Sequence, residues 1–142
     1  MEAKDLMIGD WVNIYVFPNE NPQKEDLFPA RISTIMTPLP SDDSGEHCEC
    51  QFVSTDGGVG CASRPIETCL PIPLTPEILK ENGFVYSELP FEQSWQQFGL
   101  SLYSGGDGYR VNCGNNVSAI IDSVHQLQHL LKLCGIYKEI TL

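Results

Sequence analysis

A stretch near the end of the chain, residues 117–135, constrains the fold more than any other part of the sequence. Its first five residues alternate in the manner of a strand and lead directly into a helical pattern. Asp122 or Ser123 can cap that helix, with Gln126 in the capping-box position, and Gly135 follows where a left-handed helix end is common. The apolar stripe of the helix comprises Val124, Leu127, Leu130, Leu131 and Cys134. This stretch predicts a strand followed by a helix that packs on a sheet.

The second half of the chain, residues 74–142, is predicted to form an antiparallel sheet with one short and one longer helix. Thr75 is a suitable cap for a short helix over residues 76–82, and Gly83 is a suitable end. The longer helix covers residues 123–134. Alternating apolar residues predict strands at 84–89, 95–103, 109–113 and 117–121.

The first half, residues 1–73, is predicted to form a small antiparallel β-barrel, so that the fold class is α+β. The strand that starts at Trp11 carries bulky side chains on both faces, which suits a curled sheet. Asp56 and Gly57 stand between two strand-like runs and indicate a hairpin. Three prolines within residues 69–76 disfavour helix and central strand, and they mark the joint between the halves. The halves are either two domains or one compact unit.

The charge of the chain limits its partners. Of its 142 residues, 8 are Lys or Arg and 19 are Asp or Glu, which gives a formal net charge of −11 at pH 7. Nucleic acid and anionic membranes repel such a chain, so neither is expected as a partner. The charge leaves open a basic protein partner, at an acidic surface of the first half that includes Asp42, Asp43 and Glu46. High negative charge is also a common way to stay soluble, and the charge by itself favours that interpretation.

The start of the chain and its hydropathy indicate a compartment. The first ten residues lack the charged-then-apolar pattern of a signal segment, and no apolar run approaches the roughly 18 residues of a membrane span. We therefore expect a cytoplasmic protein whose six cysteines stay reduced.

Four cysteines and a histidine lie close together in the sequence and raise the question of a metal site. They are His47, Cys48, Cys50, Cys61 and Cys69. Zinc sites are usually built from paired Cys-x2–4-Cys motifs, whereas the tightest pair here is Cys48-x-Cys50. Alternation along a strand directs Cys48, Cys50 and Phe52 to one side, as on a core face. We therefore predict packed thiols with no metal or cofactor, and keep a metal site as the alternative.

A second pair of candidate ligands lies on the longer helix. His125 and His129 are four residues apart and share one face, as two zinc ligands do. The zinc-protease pattern requires a glutamate after the first histidine, and Gln126 stands there instead. Both histidines lie opposite the apolar stripe. A solvated or partner-binding face is therefore predicted, with Leu133 beside them.

Three segments of the chain together resemble a known family. Their sequences are LMIGDWV at 6–12, IPLTPEILKENGF at 72–84 and VHQLQHLLKLCG at 124–135. In this order they resemble a family of small acidic proteins from gut anaerobic bacteria and their phages or mobile elements. The resemblance implies a bacterial cytoplasmic setting and brings no activity, cofactor or catalytic residue. Separately, the IGDWV start at 8–12 is similar to the opening of SH3-like barrels, most of which bind other macromolecules.

These observations lead to two hypotheses about function. The first is a non-enzymatic protein-interaction module that uses the acidic first half, or the face with His125 and His129, against a basic partner. The second is a small-molecule- or metal-binding protein or enzyme with Cys48, Cys50, His125 and His129 in its site. The sequence has no nucleophile elbow such as Gly-x-Ser-x-Gly, which favours the first hypothesis.

Overall fold

The computed structural model describes residues 1–15, 27–36, 45–54, 57–89, 92–113 and 117–142. It divides into two compact units, Met1–Ile72 and Pro73–Leu142, called unit 1 and unit 2 below. Each unit contains a five-stranded antiparallel sheet, and unit 2 also carries two α-helices. The α+β class predicted from the sequence is therefore confirmed. Within these residues, neither helix has the length and apolar composition that crossing a bilayer requires.

Unit 1 holds strands β1 to β5 in one sheet. The strands are β1 Trp11–Tyr15, β2 Leu27–Met36, β3 His47–Val53, β4 Val59–Pro65 and β5 Leu70–Pro71. Their order across the sheet is β4-β3-β2-β1-β5, with antiparallel neighbours throughout. The described pairs leave β4 and β5 at opposite edges. They form an open sheet and do not confirm the predicted closure into a barrel.

The core of unit 1 follows from the two-residue period of its strands. Val12 and Ile14 are buried in β1 and alternate with half-buried neighbours, and Cys48 and Cys50 alternate with more exposed residues in β3 in the same way. The core comprises Leu6, Val12, Ile14, Ala30, Ile32, Cys48, Cys50, Ile66 and Cys69. Burying one large aliphatic side chain stabilises the fold by about 1.5–3 kcal/mol. Three of the nine members of this small core are cysteines, at positions where aliphatic side chains would also be buried.

Unit 2 is an antiparallel meander with two helices. The strands are β6 Val85–Leu89, β7 Glu92–Gln97, β8 Leu100–Gly105, β9 Gly108–Cys113 and β10 Val117–Ile121, and the helices are α1 Pro76–Glu81 and α2 Val124–Leu133. The sheet order, β10-β9-β8-β7-β6, follows the chain. The strand at the end of the chain therefore runs into the longer helix, as its sequence predicts.

Both helices end at glycine, as the sequence predicts. After α2, Ile136 N–H donates to Leu131 O at 2.8 Å and Gly135 N–H donates to Lys132 O at 3.0 Å. Gly135 has a φ of 72°, which completes a Schellman motif. α1 ends in the same way at Gly83, whose φ is 83°.

The two helix starts differ from each other. Thr75 Oγ1 accepts a hydrogen bond from Ile78 N–H at 3.4 Å, which is the predicted cap of α1. Ser123 is the N-cap residue of α2, but its side chain makes no capping hydrogen bond. Gln126 Oε1 instead accepts from Asp122 N–H at 2.8 Å, one residue before the position that a capping box uses.

The structure corrects the single strand predicted over residues 95–103. β7 ends at Gln97 and β8 begins at Leu100, so that Phe98 and Gly99 form a two-residue hairpin turn. Their φ angles are 54° and 76°. Type I′ hairpin turns require positive φ at both positions, and Asn or Asp usually occupies the first. Because Phe98 continues the apolar alternation of the neighbouring residues, the sequence does not indicate a turn there.

Candidate metal centre

Strand β3 brings two thiols into the core of unit 1. Cys48 and Cys50 point to the core face, while Glu49 between them is exposed. Both cysteines have 0% of their surface exposed. Their partners across the sheet in β2 are Ile35 and Ile32, respectively. The strand geometry therefore places two sulfur atoms side by side in apolar surroundings.

The third thiol is that of Cys69, which directly follows the 3-10 turn Ile66–Thr68 after β4. Cys69 N–H donates to Ile66 O at 3.1 Å, which closes the turn. Ile66 N–H donates to Glu46 O at 2.9 Å and so ties the turn to the residue before β3. Cys69 is also 0% exposed. These backbone bonds fix it beside the two thiols of β3.

The three sulfur atoms form a compact group. Cys48 Sγ lies 3.5 Å from Cys50 Sγ and 3.5 Å from Cys69 Sγ. All three lie within 4.8 Å of one another. Among the described residues, this is the group of three or more His, Cys, Asp or Glu ligands that could share one ion. It is called the three-thiol cluster below.

The cluster favours one thiolate over the others. Hydrogen bonds from Cys50 and then Cys69 lower the pKa of the Cys48 thiol, and the nearby His47 adds a smaller lowering. Hydrogen bonding to Cys48, together with burial, raises the pKa of Cys50 and of Cys69. A second thiolate would repel the first in this apolar core, so further deprotonation requires a cation among the sulfur atoms.

The distances suit a sulfur-bound metal ion. Two thiolates at about 2.3 Å from one ion lie about 3.8 Å apart in a tetrahedral site and about 4.0 Å apart in a trigonal one. Two of the three sulfur–sulfur distances are 3.5 Å and all three lie within 4.8 Å, so the sulfur atoms of these two contacts would have to separate by a few tenths of an ångström to hold one ion. Thiolates select soft ions such as Cu(I), or zinc in four-ligand sites. Three sulfur donors without a fourth member in the group fit a trigonal Cu(I) ion best.

A depression of about 440 Å³ lies next to this region of unit 1. It is lined by Met1, Glu2, Lys4, Glu46, Ile66 and Glu67. Met1 and Ile66 also pack in the core that contains the three thiols. Lys4 Nζ lies 2.6 Å from Glu2 Oε2, and both side chains are largely exposed, so that this ion pair contributes little stability.

The acidic residues predicted as an interaction surface are only partly within the described structure. Asp42 and Asp43 lie outside the described residues. Glu46 is exposed and lines the depression together with Glu2 and Glu67. The surface around Glu46 thus gains two carboxylates from other parts of the sequence.

The predicted solvated face of α2 is wrong for His125, which is only 5% exposed. His129 is half-buried, and the ring centroids of the two histidines lie 5.9 Å apart. Leu133 is 83% exposed, as expected for the outer side. Gln128 is also buried, so α2 buries more than its apolar stripe. Among the described residues, no group of three potential ligands includes either histidine.

Cys69 is among the five candidate ligands that the sequence analysis names, but the sequence does not predict that it joins Cys48 and Cys50. Cys48 and Cys50 were placed together on a core face, and the structure confirms that placement. Cys69 reaches them through the 3-10 turn and a backbone bond across the chain, which leave no local pattern. The available signal is its closeness in sequence to Cys48, Cys50 and Cys61.

Comparisons of the chain with protein-family models, with curated proteins and with solved structures gave no match.

Proposed function

We propose that unit 1 binds one Cu(I) ion through the thiolates of Cys48, Cys50 and Cys69, as a closed and non-enzymatic metal site. The observation that carries the proposal is the convergence of three fully buried sulfur atoms, two of the three distances being 3.5 Å. Catalytic metal sites keep a coordination position open to substrate, whereas structural sites are closed by protein ligands. Zero exposure of all three cysteines supports the closed kind.

The surroundings of the cluster support entry and retention of a cation. Met1 and Ile66 line the depression and also pack in the core that contains the sulfur atoms, so the depression is the proposed side of entry for the ion. Glu2, Glu46 and Glu67 around the opening attract cations. A cytoplasmic setting in gut anaerobic bacteria or their phages, which the sequence resemblance implies, would keep the thiols reduced.

The direct test is an anaerobic titration of the reduced protein with Cu(I) against a competing chelator. We expect one ion per chain and a thiolate-to-copper charge-transfer band, with three sulfur neighbours by X-ray absorption. Alanine at Cys48, Cys50 or Cys69 should lower the sulfur count from three to two. The double variant Cys48→Ala/Cys69→Ala should lose the site with three sulfur neighbours, because Cys50 is then the one thiol left in the cluster.

Cys61→Ser provides the matched control, because Cys61 is exposed on the neighbouring strand β4. This variant should bind copper as the unchanged protein does. Copper bound equally well by the double variant would contradict the proposed ligands. If zinc binds more tightly than Cu(I), and X-ray absorption shows a fourth zinc ligand, the choice of Cu(I) is wrong.

The depression favours a second candidate function, a protein-interaction module for a basic partner. Its lining contains three carboxylates and one lysine, and that lysine is paired with Glu2. A lysine or arginine side chain of a partner could enter between Glu46 and Glu67. Binding of macromolecules is also what the similarity to SH3-like barrels implies.

This second function predicts salt-sensitive binding of a lysine-rich peptide. The double variant Glu46→Gln/Glu67→Gln should weaken binding at low salt by about tenfold, because it removes two opposite charges from the contact. Glu49→Gln is the control, since Glu49 is an exposed carboxylate in β3 outside the depression. Fluorescence anisotropy of a labelled peptide at two salt concentrations measures both effects. Equal binding by the variant and its control would exclude the depression as the contact site.

A further inference from the structure

A pair of thiols lies in unit 2 and is separate from the three-thiol cluster. Cys113 is the last residue of β9, and Cys134 is the residue at the C-terminal cap of α2. Their Sγ atoms lie 3.2 Å apart, which is closer than the 3.5 Å contacts within the cluster. Both cysteines are half-buried. We propose that Cys113 and Cys134 are a reversible disulfide site, oxidised by small disulfides such as oxidised glutathione.

The position of the pair allows a bond to form with little rearrangement. A disulfide requires the two sulfur atoms to approach to about 2.05 Å with suitable side-chain torsions. Each cysteine stands at the end of its element, and Cys134 already has a non-helical backbone, with φ −80° and ψ 3°. The end of a strand and the end of a helix adjust more readily than their interiors do.

Accessibility distinguishes this pair from the buried cluster. A small disulfide must approach a sulfur atom directly, which 0% exposure prevents at Cys48, Cys50 and Cys69. The half-buried pair can be reached. Hydrogen bonding to Cys113 raises the pKa of the Cys134 thiol, with a further contribution from burial. Either sulfur atom can donate the hydrogen bond between them. Because the raised pKa disfavours a thiolate at Cys134, we assign the first attack to Cys113.

The reaction is a two-step thiol–disulfide exchange. The Cys113 thiolate attacks one sulfur of oxidised glutathione, forms a mixed disulfide and releases one glutathione thiolate. Cys134 then loses its proton and attacks Cys113 Sγ, which expels the second glutathione. Two protein thiols lose two electrons and two protons, and one oxidised glutathione becomes two reduced molecules.

The disulfide would tie the end of α2 to β9. The bonded residues are 21 positions apart, so the link restricts the conformations of unfolded unit 2. It should therefore raise the unfolding temperature of unit 2 by several degrees. Cellular redox state would then change the stability of unit 2. This inference concerns other residues than the proposed copper site and stands independently of it.

The test uses the full chain with Cys61→Ser, treated with oxidised glutathione in the presence of a metal chelator. We expect a mass loss of two hydrogens and a peptide that links Cys113 to Cys134. The unfolding temperature should rise and return to its first value on reduction. With Cys61 present, one glutathione should also add to that exposed thiol.

Cys113→Ser and Cys134→Ser serve as paired variants, since serine at either position leaves the other thiol half-buried. Each should lose the internal link and accumulate glutathione on the remaining cysteine. A link between other cysteines, or no link in the Cys61→Ser protein while that protein is folded by circular dichroism, would overturn the proposal.

Discussion

Loading the three-thiol cluster with Cu(I) should raise the free energy of unfolding of unit 1 by about 4 kcal/mol, when the free ion is about 1000-fold above its dissociation constant. The ion binds the folded state because only folding brings Cys69 next to Cys48 and Cys50. A shift of this size corresponds to a rise of roughly 15 °C or more in the unfolding temperature of a unit this small. Residual binding to thiols of the unfolded chain would reduce the effect.

The two tryptophans of the chain allow the units to be followed separately. Trp11 lies in unit 1, where Arg31 stands 5.5 Å above its ring, and Trp95 lies in unit 2. In a Trp95→Phe background, the fluorescence of Trp11 during urea unfolding therefore reports on unit 1. Added Cu(I) should move this transition to higher urea, and a strong Cu(I) chelator should reverse it. The same addition to Cys48→Ala/Cys69→Ala protein should leave the transition in place, and an equal shift there would show that the stabilisation has another origin.

The elements that could be predicted are those whose signals are local. Gly83 and Gly135 end their helices with positive φ, and Thr75 caps α1, because each depends on a few neighbouring residues. The turn at Phe98 and Gly99 escaped prediction, since its first residue lacks the usual chemistry and the register of β7 with β8 imposes its conformation. Pairing across the sheet therefore decided a conformation that the local sequence did not indicate.

The candidate site shows the same division between local and long-range information. Alternation in β3 was enough to place Cys48 and Cys50 on the core face. The position of Cys69 beside them depends on a backbone hydrogen bond between Ile66 and Glu46, which are twenty residues apart. No periodicity in the sequence indicates such a bond. His125 was misplaced because a helical wheel assigns one buried stripe, whereas α2 buries further positions. Tertiary packing determines such positions, and the helical pattern alone does not.

Replacing Gly108 with alanine should destabilise unit 2 by about 3 kcal/mol or more. Gly108 has a φ of 128°, a backbone conformation that residues other than glycine rarely adopt. A Cβ atom there would also stand 2.4 Å from Ile121 O, at the end of β10. The obstacle is backbone, so that β10 and the start of α2 would have to move. A unit of this size has a total stability of only about 4–10 kcal/mol, so that the loss is a large fraction of it.

Gly106→Ala is the matched control, because a Cβ atom at Gly106 meets nothing within 4 Å and the residue lies in the same turn. It should change stability by no more than about 0.5 kcal/mol. Urea unfolding of both variants in a Trp11→Phe background, with Trp95 as the reporter, measures the difference within unit 2. Trp95 is half-buried with its ring 5.1 Å from that of Tyr86, so its emission should respond to unfolding of the sheet. If the two variants unfold at the same urea concentration, the close approach of Gly108 to the end of β10 is not present in solution.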